Sequence, residues 1–194
     1  VERMLGIPGE AENVGRGVSY CAVCDGAFFR DQEVAVIGGG NSALEEALYL
    51  TQFAKKVTIV IRRDVFRAEA HVQQQVEQNE RITIIRRHVP KQILDDGNRV
   101  IGLVIEDVES KETTTLTVAG VFPYVGADPA VSFLNGLDIC DERGYLLVDE
   151  HNETKIKGIY GVGDVVAKPL RQVVTAAGDG ANAAQHAFHA IKGI

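Results

Sequence analysis

A run of four apolar residues, Val34 to Ile37, stops at three glycines, Gly38, Gly39 and Gly40, and a stretch of helical periodicity begins directly behind them. Few local patterns restrict a chain more. The run predicts a buried strand. Asn41 to Phe53 predicts a helix with Ala43, Ala47, Leu48 and Leu50 as its apolar positions, and Val57 to Ile61 a second β-branched strand. Strand, tight turn, helix and strand in that order make a βαβ unit, whose crossover is right-handed in a parallel sheet. The turn, Gly38-Gly39-Gly40-Asn41-Ser42-Ala43, fits G-x-G-x-x-G/A. Gly38 permits the sharp turn and Gly40 lets the backbone approach a pyrophosphate. Ala43 is small enough for the helix to pack on the strand, which leaves helix N–H groups aimed at the phosphates. Alone the pattern is weak; between a strand and a helix it indicates a dinucleotide site.

The second strand of an NAD-specific unit ends near an Asp or Glu about 20 residues past the glycines, where it meets the ribose hydroxyls. Here the position holds Arg62 and Arg63, with Arg67 four residues on. Guanidinium groups form bidentate, charge-assisted bonds with phosphate, so this cluster selects the 2′-phosphate of NADP. A charge run is usually a solvated face, but this one interrupts an acidic chain of 20 Lys and Arg against 27 Asp and Glu, formal net charge -7. That acidity argues against nucleic acid or an anionic membrane as partner. No apolar run approaches the ~20 residues of a membrane span, and the start lacks the apolar core of a signal peptide.

Upstream of the turn lies Cys21-Ala22-Val23-Cys24-Asp25-Gly26. Two intervening residues bring two sulfurs close enough to form a disulfide, and such pairs commonly lower one thiol's pKa. The spacing is also half of a zinc site, but a structural site needs a second ligand pair, and neither Cys140 nor the histidines supply one. A redox pair is therefore favoured over metal ligands or inert core cysteines, and Cys140 is expected to be structural. Three cysteines do not make a secreted disulfide scaffold, so a cytoplasmic protein with one working dithiol is the simplest account. Asp25 serves as acid or base for the thiols if burial raises its pKa; an Asp-Gly turn explains it equally well. His186 and His189 are expected to be surface or packing residues.

The rest of the chain reads as a mixed domain followed by a change of texture. Gly6 to Gly17 is Gly- and Pro-punctuated, as in a linker. Ala68 to Asn79 predicts a helix and Ile82 to Ile85 a strand. Val89 to Leu94, Val100 to Val108 and Thr113 to Val118 predict an antiparallel meander about the turn Asp95-Asp96-Gly97-Asn98. Beyond Gly120, strands are expected at Val121 to Gly126, Tyr145 to Val148 and Gly158 to Val162, then a long helix from Arg171 to Ile191. Gly163-Asp164 at a strand end and Arg171-Gln172 at a helix start suit a ribityl hydroxyl and an anionic ring edge; a plain turn and cap suit them as well.

Together these residues resemble the low-molecular-weight thioredoxin reductases, pyridine nucleotide-disulfide oxidoreductases whose dithiol lies in the NADP domain. The resemblance spans Gly6 to Glu10, Cys21 to Gly26, Val34 to Tyr49, Arg62 to Ala68, Gly161 to Val165 and Arg171 to Gly178. It implies an α/β fold: a Rossmann-like NADP-binding domain over 15–118, and the C-terminal portion of an FAD-type α/β domain over 119–194. Residues 1–14 would be the linker from a flavin-domain segment not present here. The resemblance also implies electron transfer from NADPH to FAD, to the Cys21–Cys24 disulfide, and on to thioredoxin or a similar dithiol protein. Cys24 would face the flavin, Cys21 would attack the partner disulfide, and Asp25 would donate the proton. Gly163, Asp164, Arg171, Gln172 and Val173 would lie at the flavin. The family opens with a flavin-binding βαβ unit, so a truncated form is expected, one that binds NADP(H) but turns over poorly; the full-length protein is expected to be a homodimer. The flavoprotein subunit of an alkyl hydroperoxide reductase shares this core and is the alternative within the class. A stand-alone NADP-binding module without reductase turnover is the alternative outside it.

Overall fold

The computed structural model describes residues 2–134 and 136–193. Its seven strands are β1 Glu33–Ile37, β2 Lys56–Val60, β3 Ile82–Ile85, β4 His88–Asp95, β5 Val100–Asp107, β6 Thr113–Leu116 and β7 Gly120–Pro123. Its helices are α1 Ala22–Asp25, α2 Asn41–Leu50, α3 Ala70–Glu77 and α4 Val173–Lys192. The apolar runs become a parallel sheet in the order β3-β2-β1-β7, with Val34 opposite Val57 on one side and Gly120 on the other. Successive side chains of a strand face opposite ways. Val34, Val36, Val57, Ile59 and Phe122 pack with Leu44, Ala47 and Leu50 of α2 and Val72 and Val76 of α3. Ala35, Ile37, Val60 and Val121 pack with Ile93, Leu103 and Ile105 of the meander β4-β5-β6. Both faces are covered, which is why these strands read as unbroken apolar runs rather than alternating ones. Leu44 and Leu50 are fully buried, so truncating either to Ala costs about 2–5 kcal/mol.

The β4–β5 hairpin closes on the expected turn. Asp95 Oδ1 accepts from Gly97 N at 2.8 Å, Asp96 Oδ1 accepts from Asn98 N at 2.9 Å, and Gly97 takes φ +92. The opening stretch is not a free linker. Glu10 is 1% exposed, and its carboxylate accepts from Leu5 N and Gly6 N, both at 2.8 Å, and from Tyr20 Oη at 2.9 Å. Ile93 N donates to Pro8 O at 2.9 Å, fastening the same stretch to β4. A buried carboxylate needs that number of donors, and the loop folds around it to supply them.

The chain forms two compact units that divide between Gly126 and Ala127. The texture change near residue 120 precedes that division because β7 pairs with β1 and completes the first unit's sheet. In the second unit the strands expected at Tyr145 to Val148 and Gly158 to Val162 do not form. Isolated bridges stand there instead: Cys140 with Leu146, Leu146 with Val166, and Glu153 with Tyr160. An apolar run becomes a strand only with a ladder partner along its length, and a single bridge gives none. Asn152, buried at φ +63, joins this irregular stretch to α4: its Nδ2 donates to Gly161 O at 3.1 Å and its Oδ1 accepts from Asn182 Nδ2 at 2.9 Å. No helix among the described residues is long and apolar enough to cross a membrane.

Candidate functional site

At the carboxyl end of β1 the chain turns through Gly38, at φ +144. A Cβ on Gly38 would lie 2.3 Å from Tyr124 O and 3.1 Å from the Ala43 Cβ, so the turn excludes any side chain there. Ala43 is buried against it. Gly40 is the N-cap of α2 and no side chain caps that end; a Cβ on Gly40 would meet nothing within 4 Å. Ser42 is exposed in the first turn. An uncapped helix end over open space is the condition an anion needs to reach the backbone N–H groups.

A cavity of about 470 Å³ opens at this turn, lined by Gly38, Gly39, Arg62, Arg63, Arg67 and Tyr124 among others. The three arginines are exposed, and among the described residues none forms a hydrogen bond or ion pair through its guanidinium. Their backbone is fixed nonetheless. Phe66 is buried in the core beneath them and Arg67 N donates to Gly39 O at 2.7 Å. The Asn41 side chain, in the same turn, is engaged within the protein: its Oδ1 accepts from Glu69 N at 2.7 Å and its Nδ2 donates to Glu69 Oε1 at 3.1 Å.

Cys21 and Cys24 are joined as a disulfide at the head of α1, where Cys24 N also donates to Cys21 Sγ at 3.1 Å. Cys24 is the more exposed of the two. Asp25 closes α1, and its Oδ2 accepts from Ser19 Oγ at 2.6 Å, while Ser19 Oγ also accepts from Cys21 N at 3.1 Å. Gly26 is no turn glycine, because its backbone stays right-handed helical. It is small for room, since a Cβ would stand 3.1 Å from Leu50 Cδ2.

Four residues that carry no motif also belong here. Tyr124 follows β7 directly; its N donates to Ile37 O at 2.7 Å, and its hydroxyl accepts from Ala22 N, in α1, at 2.8 Å. Burial, with the Glu46 carboxylate nearby, pushes that hydroxyl well above the usual phenol range. Glu46, on α2, is half-buried with Oε2 enclosed and, among the described residues, unpartnered; burial first and the Glu45 charge second raise its carboxyl above the ordinary range. His88 lines the cavity, and Ser19 braces both Asp25 and Cys21. Tyr124 had one readable signal, its place just past a strand's carboxyl end, where open α/β sheets bind ligands. Glu46, His88 and Ser19 had none.

In the second unit, Gly163–Val165 forms a 3-10 turn and Gly163 N donates to Asp179 Oδ2 at 2.9 Å. Arg171 Nε donates to Asp164 O at 3.2 Å, and its guanidinium lies 4.1 Å from the Tyr145 ring centre. Gln172 caps α4 reciprocally with Thr175. The Asp164 carboxylate is exposed and, among the described residues, unpaired. Leu170, Val173 and Val174 are 55%, 86% and 75% exposed. His151 and His186 stack at 3.8 Å, and Cys140 is a free thiol. Among the described residues no group of three His, Cys, Asp or Glu is spaced to hold a metal ion.

The model of the pyridine nucleotide-disulphide oxidoreductase family matches residues 1–180. The chain is 44% identical to the thioredoxin reductase of Bacillus subtilis, covering 98% of this chain and 60% of that protein. It is 47% identical to the thioredoxin reductase of Listeria innocua, covering 95% of this chain and 58% of that protein. The crystal structure of the Streptococcus pyogenes thioredoxin reductase superposes at TM-score 0.94 and 48% identity, covering 99% of this chain and 63% of that one. This chain thus spans about three fifths of the curated relatives' length.

Proposed function

The chain belongs to the pyridine nucleotide-disulphide oxidoreductases, and from that premise we propose that it is the NADPH- and disulfide-bearing part of a thioredoxin reductase. One observation carries the proposal. A single compact unit holds an uncapped helix end, three unpaired guanidinium groups on one cavity, and a disulfide whose helix is hydrogen-bonded to Tyr124 of that cavity.

The division of work follows from the residues. Gly38, Gly40 and the first turn of α2 receive the pyrophosphate. Arg62, Arg63 and Arg67 bind the 2′-phosphate. Asp164, Arg171, Gln172 and Val173 are the groups of this chain that would hold FAD, which when bound takes two electrons from the nicotinamide and gives two to a disulfide. Reduction opens the Cys21–Cys24 bond, with two electrons and two protons yielding two thiols. Asp25, held by Ser19, is placed to pass one of those protons. Cys21 then attacks the disulfide of thioredoxin or a similar dithiol protein. The partner's leaving thiolate departs, and Cys24 resolves the mixed disulfide as the internal bond re-forms. A reducing cytoplasm, and a homodimer of the whole protein, complete the proposal.

The nucleotide is tested by calorimetry with NADP⁺ and NAD⁺. Replacing Arg62 and Arg63 by Ala should cost NADP⁺ about 1.5–3 kcal/mol per lost charged hydrogen bond and leave NAD⁺ nearly unchanged. Equal losses refute the assignment. The partner is tested with Cys24→Ser and an oxidised thioredoxin: a covalent adduct through Cys21, absent in Cys21→Ser, is expected. Formation of that adduct through Cys140 instead would sink the dithiol mechanism.

A further inference from the structure

The geometry points to the side chains of Asn41 and Glu69 as a specificity-determining clasp: spent on each other, they hold the arginine loop where it discriminates a 2′-phosphate from a 2′-hydroxyl. The inference rests on the nucleotide assignment made above. Asn41 occupies the fourth place of the glycine turn, where a side chain would be expected to turn toward phosphate. Both ends of its amide are instead spent on one residue, with Oδ1 taking Glu69 N at 2.7 Å and Nδ2 meeting Glu69 Oε1 at 3.1 Å. Glu69 closes the segment that begins at Arg62 and is the N-cap of α3, a helix no side chain caps.

Between those ends the segment carries Arg62, Arg63 and Arg67 with, among the described residues, no protein partner for any guanidinium. Like charges in one loop repel, so three unpaired cations converge on a cavity only if the backbone is tied down. Phe66 and Ala68 are buried in the core, Arg87 N donates to Arg63 O at 3.4 Å, Gln73 Nε2 donates to Ala68 O at 2.7 Å, Arg67 N donates to Gly39 O at 2.7 Å, and the Asn41 amide takes Glu69. The last two of these ties end on the glycine turn itself, so the residues that receive the pyrophosphate and those that receive the 2′-phosphate are set at a fixed spacing. An asparagine suits the post because one planar amide offers an acceptor to the loop backbone and a donor to the loop carboxylate. The Glu69 carboxylate, further engaged by His71 Nδ1 at 3.4 Å, is thereby occupied beside a site meant for anions.

The test compares 2′,5′-ADP with 5′-AMP by calorimetry on the 194-residue chain. The ratio of the two affinities cancels any effect common to both ligands, including partial unfolding, and isolates the 2′-phosphate. Asn41→Ala breaks both hydrogen bonds and should lower the ratio at least fivefold. Glu69→Ala keeps the backbone bond and should lower the ratio by less. Glu69→Gln preserves both bonds, because its amide oxygen still accepts, and should keep the ratio within twofold of the parent. An unchanged ratio in Asn41→Ala overturns the clasp, as does a Glu69→Gln ratio displaced as far as that of Asn41→Ala. A parent chain with no preference for 2′,5′-ADP would instead overturn the nucleotide assignment on which the clasp depends.

Discussion

Replacing Tyr124 with Phe removes one oxygen atom and leaves the ring volume in place, so the expected loss traces to one hydrogen bond. The Tyr124 hydroxyl accepts from Ala22 N at 2.8 Å, and Ala22 is fully buried. Without that acceptor the N–H has no partner, which costs about 1–3 kcal/mol. For a unit of this size each kcal/mol lowers Tm by roughly 3–5 °C, so a fall of about 3–15 °C is expected. Urea unfolding followed by circular dichroism gives the free energy directly, and an unchanged m-value shows that the two-state slope is preserved. A second readout is independent of the first. Burial raises the folded-state pKa of Tyr124 above its ordinary value of 10.0. The folded chain therefore keeps a proton that the unfolded chain loses, and the stability this gives is full below about pH 10 and falls as pH rises beyond it. In Tyr124→Phe that alkaline decline should be shallower by one titrating group, with Tyr20, also raised by burial and by Glu10, still contributing. A destabilisation under about 0.5 kcal/mol, together with an unaltered alkaline slope, would show that the hydroxyl does not hold α1.

Glu46→Gln should raise Tm at neutral pH. Burial lifts the folded-state pKa of Glu46 above the unfolded value, so its charge destabilises the fold above that range and the penalty disappears as the group protonates on acidification; an advantage that persisted unchanged at pH 4 would contradict this sign. Thiol titration in denaturant should find one thiol, Cys140, in the oxidised chain and two more after treatment with dithiothreitol. Stoichiometric zinc that shielded Cys21 and Cys24 from alkylation would exclude a disulfide couple.

The parallel core of the fold was legible because its signals are local and redundant. Val34–Ile37, the glycines and Val57–Ile61 each predict the same βαβ unit, and β1, α2 and β2 form within a few residues of expectation. The hairpin turn was equally plain, since Asp95, Asp96 and Gly97 are the residues such a turn requires. Where the sequence misled, the deciding partner lay elsewhere in the chain. Tyr145 to Val148 has the apolar character of a strand, yet strand formation depends on a neighbour that a sequence pattern does not reveal. Glu10 falls in a stretch that reads as a linker, and only the fold shows that Leu5, Gly6 and Tyr20 converge on it. In the candidate site, the glycines and arginines stand out in the sequence because they follow a motif spacing, and the fold brings Gly38, Gly39, Arg62, Arg63 and Arg67 to one cavity. Asn41 sits within the same spacing but spends its amide on Glu69, 28 positions away.

The last strand of the parallel sheet has a guard with a second duty. β7 is an edge strand, and an uncovered edge offers its N–H and C=O groups to any passing chain. Here Ser19 N donates to Val121 O at 3.1 Å, and Val121 N donates to Gly17 O at 2.8 Å, so residues 17–19 lie along β7 as a short parallel cover. Two residues later the same backbone reaches Cys21. Peeling that cover away would expose a template for intermolecular pairing and displace the disulfide in the same movement. Aggregation by sheet addition and loss of a well-placed redox pair are, for this chain, two outcomes of one local opening.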